Sequence, residues 1–264
     1  MEGIIASLNM PESLKMRMRQ FTKNQVMSKS EQSENCVRVS KYKCDKCRDL
    51  TFIIEDGVAT PCECRALKEA SDILKNSGVS EEFRKKSFEN FNYAYDMQTI
   101  EAYRKASLYV REFESVRDSR CNSIMFVGQV GSGKTHLSMA IANSLMDDGV
   151  GVVYMPYRDV VTRLKQNIMD EEYYQRAVGK YKKAKVLLID DLFKGKLSES
   201  DVNIMFEIVN YRYFNNLPVI VSSEKGMEEL VEIDEAIGSR LIEMCKGNVL
   251  EMKGKRLNYR IYGG

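Results

Sequence analysis

Between residues 124 and 252, five short apolar runs (124–127, 151–155, 186–189, 218–222 and 248–252) alternate with longer stretches in which apolar residues recur at helical spacing. Runs this short and continuously apolar suit strands covered on both faces, and the periodic stretches between them supply the covering helices. The pattern predicts an α/β fold with a five-stranded, mainly parallel sheet. Thr99 to Arg117 keeps Ile100, Tyr103, Ala106, Val110 and Phe113 on one helical side, and Ser80-Glu81-Glu82-Phe83 reads as a helix start. Before residue 78 the pattern differs. A basic amphipathic stretch, Leu14 to Phe21, is followed by a polar linker, Ser28 to Asn35. Thr51 to Ile54, an Asp56-Gly57 turn and Val58 to Thr60 then predict a hairpin, and Arg65 to Asn76 a helix stopped near Gly78. The expected organisation is a small domain over residues 1–77 and a larger one over 78–264.

Gly128-Gln129-Val130-Gly131-Ser132-Gly133-Lys134-Thr135 stands between the first strand and a helix from His136 to Met146, which is the setting of a phosphate-binding P-loop. Its glycines let successive N–H groups turn toward phosphate oxygens at the positive end of the helix. Lys134 is expected to bridge the outer phosphates and Thr135 to ligate Mg²⁺. The third apolar run ends in Asp190-Asp191. A carboxylate there can hold Mg²⁺, a role assigned to Asp190, while Asp191 could polarise an attacking water; two solvated acids after a buried strand are the plainer alternative. His136, the single histidine, closes the nucleotide-binding run and is read as a packing residue. Met139, Met146 and Met205 are read as core.

The cysteines change the picture of the smaller domain. Cys44 and Cys47 form one close pair and Cys62 and Cys64 another, and the intervening hairpin would bring them together. Four thiolates make a closed tetrahedral set, as in a structural zinc site, and the metal would supply folding free energy that so short a segment lacks. A redox dithiol or unligated thiols are the alternatives. Cys36, Cys121 and Cys245 fall outside this scheme.

The formal net charge of +2 gives no global polyanion signal, so nucleic-acid contact must come from a local patch. Arg158, Arg163 and Lys165 share one side of a helix, and Tyr181 lies among Lys180, Lys182 and Lys183. Such a mixture suits a surface that tracks a nucleic-acid backbone and stacks bases, although exposed faces are also basic for solubility. No apolar stretch approaches the ~18 residues of a membrane span. With no signal-peptide pattern at Met1 to Ile5, the expected location is cytoplasmic.

Three runs, Gly131 to Leu137, Leu188 to Leu192 and Ile237-Gly238-Ser239-Arg240-Leu241, give the chain a further likeness. It resembles the AAA+ ATPases of the DnaC/DnaI helicase-loader group, a wider group that includes the transposition helper IstB. The likeness spans residues 78–264, and the cysteine-rich segment is similar to the N-terminal domain of the loaders. It implies an AAA+ core without a C-terminal lid, ATP as the nucleotide, and single-stranded DNA as a ligand of the core. It also implies that a hexameric replicative helicase is held by the N-terminal domain. Arg240 falls on the arginine finger that completes a neighbouring copy's ATP site, where pairing with Glu235 or Glu243 on its own helix is the alternative. The polar sensor position falls on Glu224, a departure that implies slow turnover or substitution by Ser223. Arg256 and Arg260 could add a phosphate contact or form a solvated basic tail. Three functions follow: a helicase loader, a transposition helper, or an ATP-gated adaptor that scarcely hydrolyses.

Overall fold

The computed structural model describes residues 42, 44–55, 58–75, 81–94 and 96–262. The amphipathic stretch at Leu14, the polar linker, Cys36 and the Asp56-Gly57 turn lie outside them. Contacts divide the chain into two compact units, residues 1–50 and 51–264.

In the first unit Cys44 to Leu50 form a tight turn. Asp49 Oδ1 accepts from the Cys44 N–H at 2.9 Å, and the Leu50 N–H donates to the Cys47 carbonyl at 3.1 Å. Arg48 and Asp49 hold left-handed φ values of 51° and 66° to make that turn.

The larger unit begins with the antiparallel hairpin β1 (Phe52–Glu55) and β2 (Val58–Pro61), then α1 (Cys64–Lys75) and the single turn α2 (Glu81–Arg84). After α3 (Met97–Val116) come β3 (Ile124–Gly128), α4 (Lys134–Asp147), β4 (Val152–Pro156), α5 (Tyr157–Gln166), α6 (Glu171–Lys183) and β5 (Val186–Asp190). The chain continues through α7 (Glu199–Phe214), β6 (Val219–Ser223), α8 (Met227–Ile233), α9 (Glu235–Met244), β7 (Val249–Met252) and α10 (Tyr259–Tyr262). Five strands form a parallel sheet in the order β4-β5-β6-β3-β7. Each lies within about a residue of the apolar run that predicts it.

Alternation within those runs sorts their side chains between two cores. Met125, Val127, Leu187, Ile189, Val219 and Val221 pack beneath α5 to α9, whereas Ile124, Phe126, Val186, Leu188 and Ile220 pack beneath α3 and α4. Burial on both faces explains why the strands read as unbroken apolar stretches. Because all five strands run in one direction, their carboxyl ends share an edge, where ligands of such sheets sit. β6 lies between β3 and β5, so the P-loop and the acidic strand end face one another across its last residues. Among the described residues no helix is long and apolar enough to cross a membrane.

Candidate functional site

The loop after β3 wraps the N-terminus of α4, and its glycines are dictated by geometry. Gly133, the residue before α4, has φ 91°, and a Cβ there would come within 2.5 Å of the Phe91 ring. At Gly128, φ is 108° and a Cβ would run into the Met252 carbonyl of the neighbouring strand. Lys134 folds over the loop, its Nζ donating to the Gly128 and Gln129 carbonyls at 2.8 and 2.7 Å. Burial pushes its pKa down, against the pull of Glu224 and Asp191. Ser132 Oγ donates to the Gln129 carbonyl at 2.8 Å and holds the loop closed.

Asp190 meets the P-loop directly. Its Oδ1 accepts from Thr135 Oγ1 at 2.8 Å and from Ser222 Oγ at 2.5 Å, while its Oδ2 accepts from the Tyr154 hydroxyl at 3.1 Å. A hydroxyl and a carboxylate side by side form a hard oxygen donor set that fits Mg²⁺. Tyr154 and Ser222 escape sequence reading because β4 and β6 carry no motif; only the strand order brings them to Asp190.

Asp191 begins a strained turn, with φ 56°, followed by Phe193 at 58°. The Asp191 N–H donates to Ser222 Oγ at 2.9 Å and the Leu192 N–H to the Ser222 carbonyl at 2.9 Å, which together hold the turn. Lys194, also without a sequence signal, ion-pairs with Asp191 Oδ2 at 2.7 Å and Glu224 Oε1 at 2.9 Å. Ser223 points its hydroxyl to the Leu192 carbonyl at 2.8 Å. A cavity of about 390 Å³ is lined by Lys134, Thr135, Asp191, Lys194 and Glu224 together with Val130, Tyr259 and Arg260. His136 also borders it; its Nε2 contacts the Ser87 carbonyl at 2.9 Å and its ring packs edge-on against Phe91. A second cavity of about 430 Å³ opens near Val150, Val186 and Pro218, at the opposite ends of the strands and away from any phosphate-binding loop.

The remaining candidates lie elsewhere. Arg240 on α9 stacks within 5.3–6.0 Å of the rings of Phe206, Tyr213 and Phe214, and its Nη1 donates to its own helix at the Ala236 carbonyl. Glu243 instead accepts from the Tyr213 hydroxyl at 2.7 Å. Of the basic side of α5, Arg163 is exposed, Lys165 is paired with Asp201 at 2.8 Å, and Arg158 donates to the Lys194 carbonyl at 3.2 Å.

Cys44 and Cys47 lie in the turn of the first unit, and Cys62 and Cys64 follow β2 and open α1 in the second. Four thiols are the donor chemistry of a closed zinc site. Cys245 is buried in the sheet core, which pushes its thiol pKa up, and Cys121 is half-buried.

A sequence profile described as IstB-like ATP binding protein matches residues 54–260. The phage-like element PBSX protein XkdC of Bacillus subtilis is 38% identical over 85% of this chain and 88% of its own length. The replicative helicase loader DnaC of Escherichia coli K12 is 27% identical over 71% of this chain and 74% of its own. The crystal structure of DnaI superposes with a TM-score of 0.54 at 26% identity, covering 67% of this chain and 93% of that one. The parallel sheet with its P-loop at the carboxyl edge is thus the AAA+ fold of DnaC and DnaI. Given a family match over most of its length and a relative of this identity, the chain belongs to the IstB-like ATP-binding proteins, the family that includes DnaC.

Proposed function

We propose that the chain is an ATP-dependent loader that places a hexameric replicative helicase on single-stranded DNA in the cytoplasm. The observation that carries this reading is the Thr135–Asp190 contact at 2.8 Å beside Lys134, a nucleotide–metal site set in a chain related to a named helicase loader. Lys134 would leave the Gly128 and Gln129 carbonyls for phosphate oxygens, keeping its charge in a loop of inward N–H groups. Thr135 and Asp190 would hold Mg²⁺, which neutralises developing phosphate charge when bound. Asp191, exposed to the cavity, would orient and polarise the attacking water once released from Lys194.

The remaining assignments complete the cycle. Residues 1–77, tied by zinc at Cys44, Cys47, Cys62 and Cys64, would hold the helicase, while residues 78–264 bind ATP and DNA. Arg240 would leave its aromatic bed to complete the ATP site of a second copy. Arg158, Arg163, Lys165 and the Lys180 to Lys183 segment would track the DNA backbone, with Arg158 and Arg163 exposed on α5. The IstB-like description of the family favours a second reading, an ATPase helper of transposition.

The experiment is affinity capture from native lysate with ATP, using the wild-type protein beside Lys134→Ala, with captured proteins identified by mass. Recovery of the replicative helicase by wild type supports the loader. Recovery of a transposase moves the assignment to transposition, and recovery of neither removes both readings.

A further inference from the structure

The nucleotide cavity contains a cation that the phosphate loop does not account for. Lys194 lies in the turn after β5, and its ammonium bridges Asp191 and Glu224 at 2.7 and 2.9 Å. These three side chains line the same cavity as Gly131, Gly133 and Lys134. The backbone of the turn is pinned: Ser222 receives the Asp191 and Leu192 N–H groups, and Arg158 donates to the Lys194 carbonyl. The lysine side chain, by contrast, is 45% exposed. A fixed stem with an accessible head lets the ammonium exchange partners without moving the fold.

The charges at this edge require such a group. Asp191 and Glu224 line the cavity beside Lys134, and Asp190 stands behind its Thr135 wall. Unpaired carboxylates would repel the terminal phosphate of a bound polyphosphate at side-chain range. An ammonium has three N–H donors, of which Asp191 and Glu224 use two. Glu224 can only accept when ionised, so it cannot itself contact a phosphate oxygen, but a lysine that it holds can.

We propose that Lys194 is the contact for the terminal phosphate of ATP, held between Asp191 and Glu224 until the nucleotide arrives. Glu224 is then the holder of the phosphate contact, and the exchange also frees Asp191 Oδ2 to take a water. The consequence is discrimination of ATP from ADP, which lacks the group that Lys194 grips. This inference rests on the ATP-binding reading of the site.

Calorimetric titration of the full chain with β,γ-methylene-ATP and with ADP, both in Mg²⁺, tests it. Lys194→Met is expected to weaken the ATP analogue about tenfold while leaving ADP within about twofold. Lys194→Arg, which restores a cation, should keep most of the preference. Should Lys194→Met fail to fold, Lys194→Gln gives the same comparison. An unchanged ratio of the two affinities, or equal losses on both nucleotides, overturns the assignment. If wild type binds both nucleotides and Lys134→Ala loses both, such a result removes Lys194 alone. If wild type binds neither, the ATP reading falls and this inference with it.

Discussion

Asp190 has its two oxygens held by three hydroxyls, those of Thr135, Ser222 and Tyr154. Groups that orient a metal ligand commonly matter nearly as much as the ligand. Tyr154→Phe is therefore expected to raise the Mg²⁺ concentration for half-maximal nucleotide binding roughly tenfold, with the melting temperature little changed. A magnesium titration followed by nucleotide fluorescence checks this. His136 gives a prediction with a definite sign. Burial, opposed by the Ser87 contact, lowers its pKa from the ordinary 6.5, so the unfolded chain takes up a proton before the folded one does. Its contribution to stability is complete above the unfolded pKa and is lost as pH falls through the folded one. Urea unfolding at pH 7 and pH 5 should lose less stability in His136→Gln than in wild type. Because the chain has one histidine, the difference between the curves isolates it. Lys134, Thr135 and Asp190 were legible in the sequence because each stands in a local motif beside an apolar strand. Tyr154 and Ser222 were not, since strand order brings them to Asp190 across 36 and 32 residues, and Lys194 pairs with Asp191 in its own turn but reaches Glu224 only through the neighbouring strand.

At the scale of elements, burial made the strands legible, whereas what fixes the helices to them was hidden. Arg212 reads as an ordinary cation in the last turn of α7, yet it is fully buried. Its Nη1 donates to the carbonyls of Tyr181, Lys182 and Ala184 at 2.9, 3.1 and 2.9 Å, and its Nη2 to Pro218 at 2.6 Å. One guanidinium thereby closes the C-terminus of α6 and ties it to the entry of β6. Arg212→Leu would leave these buried acceptors without donors and is expected to cost on the order of 3–5 kcal/mol, read from urea unfolding. The start of α7 is held by a local motif. Ser198 and Asp201 form a capping box, and Lys165 closes over Asp201 at 2.8 Å. That engagement links one cation of the proposed DNA surface to the packing of α5 against α7, so Lys165→Ala would perturb folding and DNA affinity together.

At the scale of the whole molecule, zinc and the helicase are proposed for the cysteine-rich segment and ATP for the sheet. None of Cys44, Cys47, Cys62 and Cys64 belongs to either core of the sheet. Elemental analysis is expected to find one zinc per chain, and paired Cys44→Ser and Cys47→Ser changes should abolish it. Such a protein should still bind ATP and lose the helicase; loss of both together would mean that the segment supports the sheet as well. The central claim is that ATP bound at this site drives transfer of a helicase onto DNA. Its most direct measurement is the amount of purified replicative helicase retained on closed circular single-stranded DNA after a salt wash, since a closed circle offers no end to thread. Wild-type protein with ATP should raise that amount well above helicase alone, and Lys134→Ala should not. Equal retention with wild type, with Lys134→Ala and with helicase alone would contradict the account.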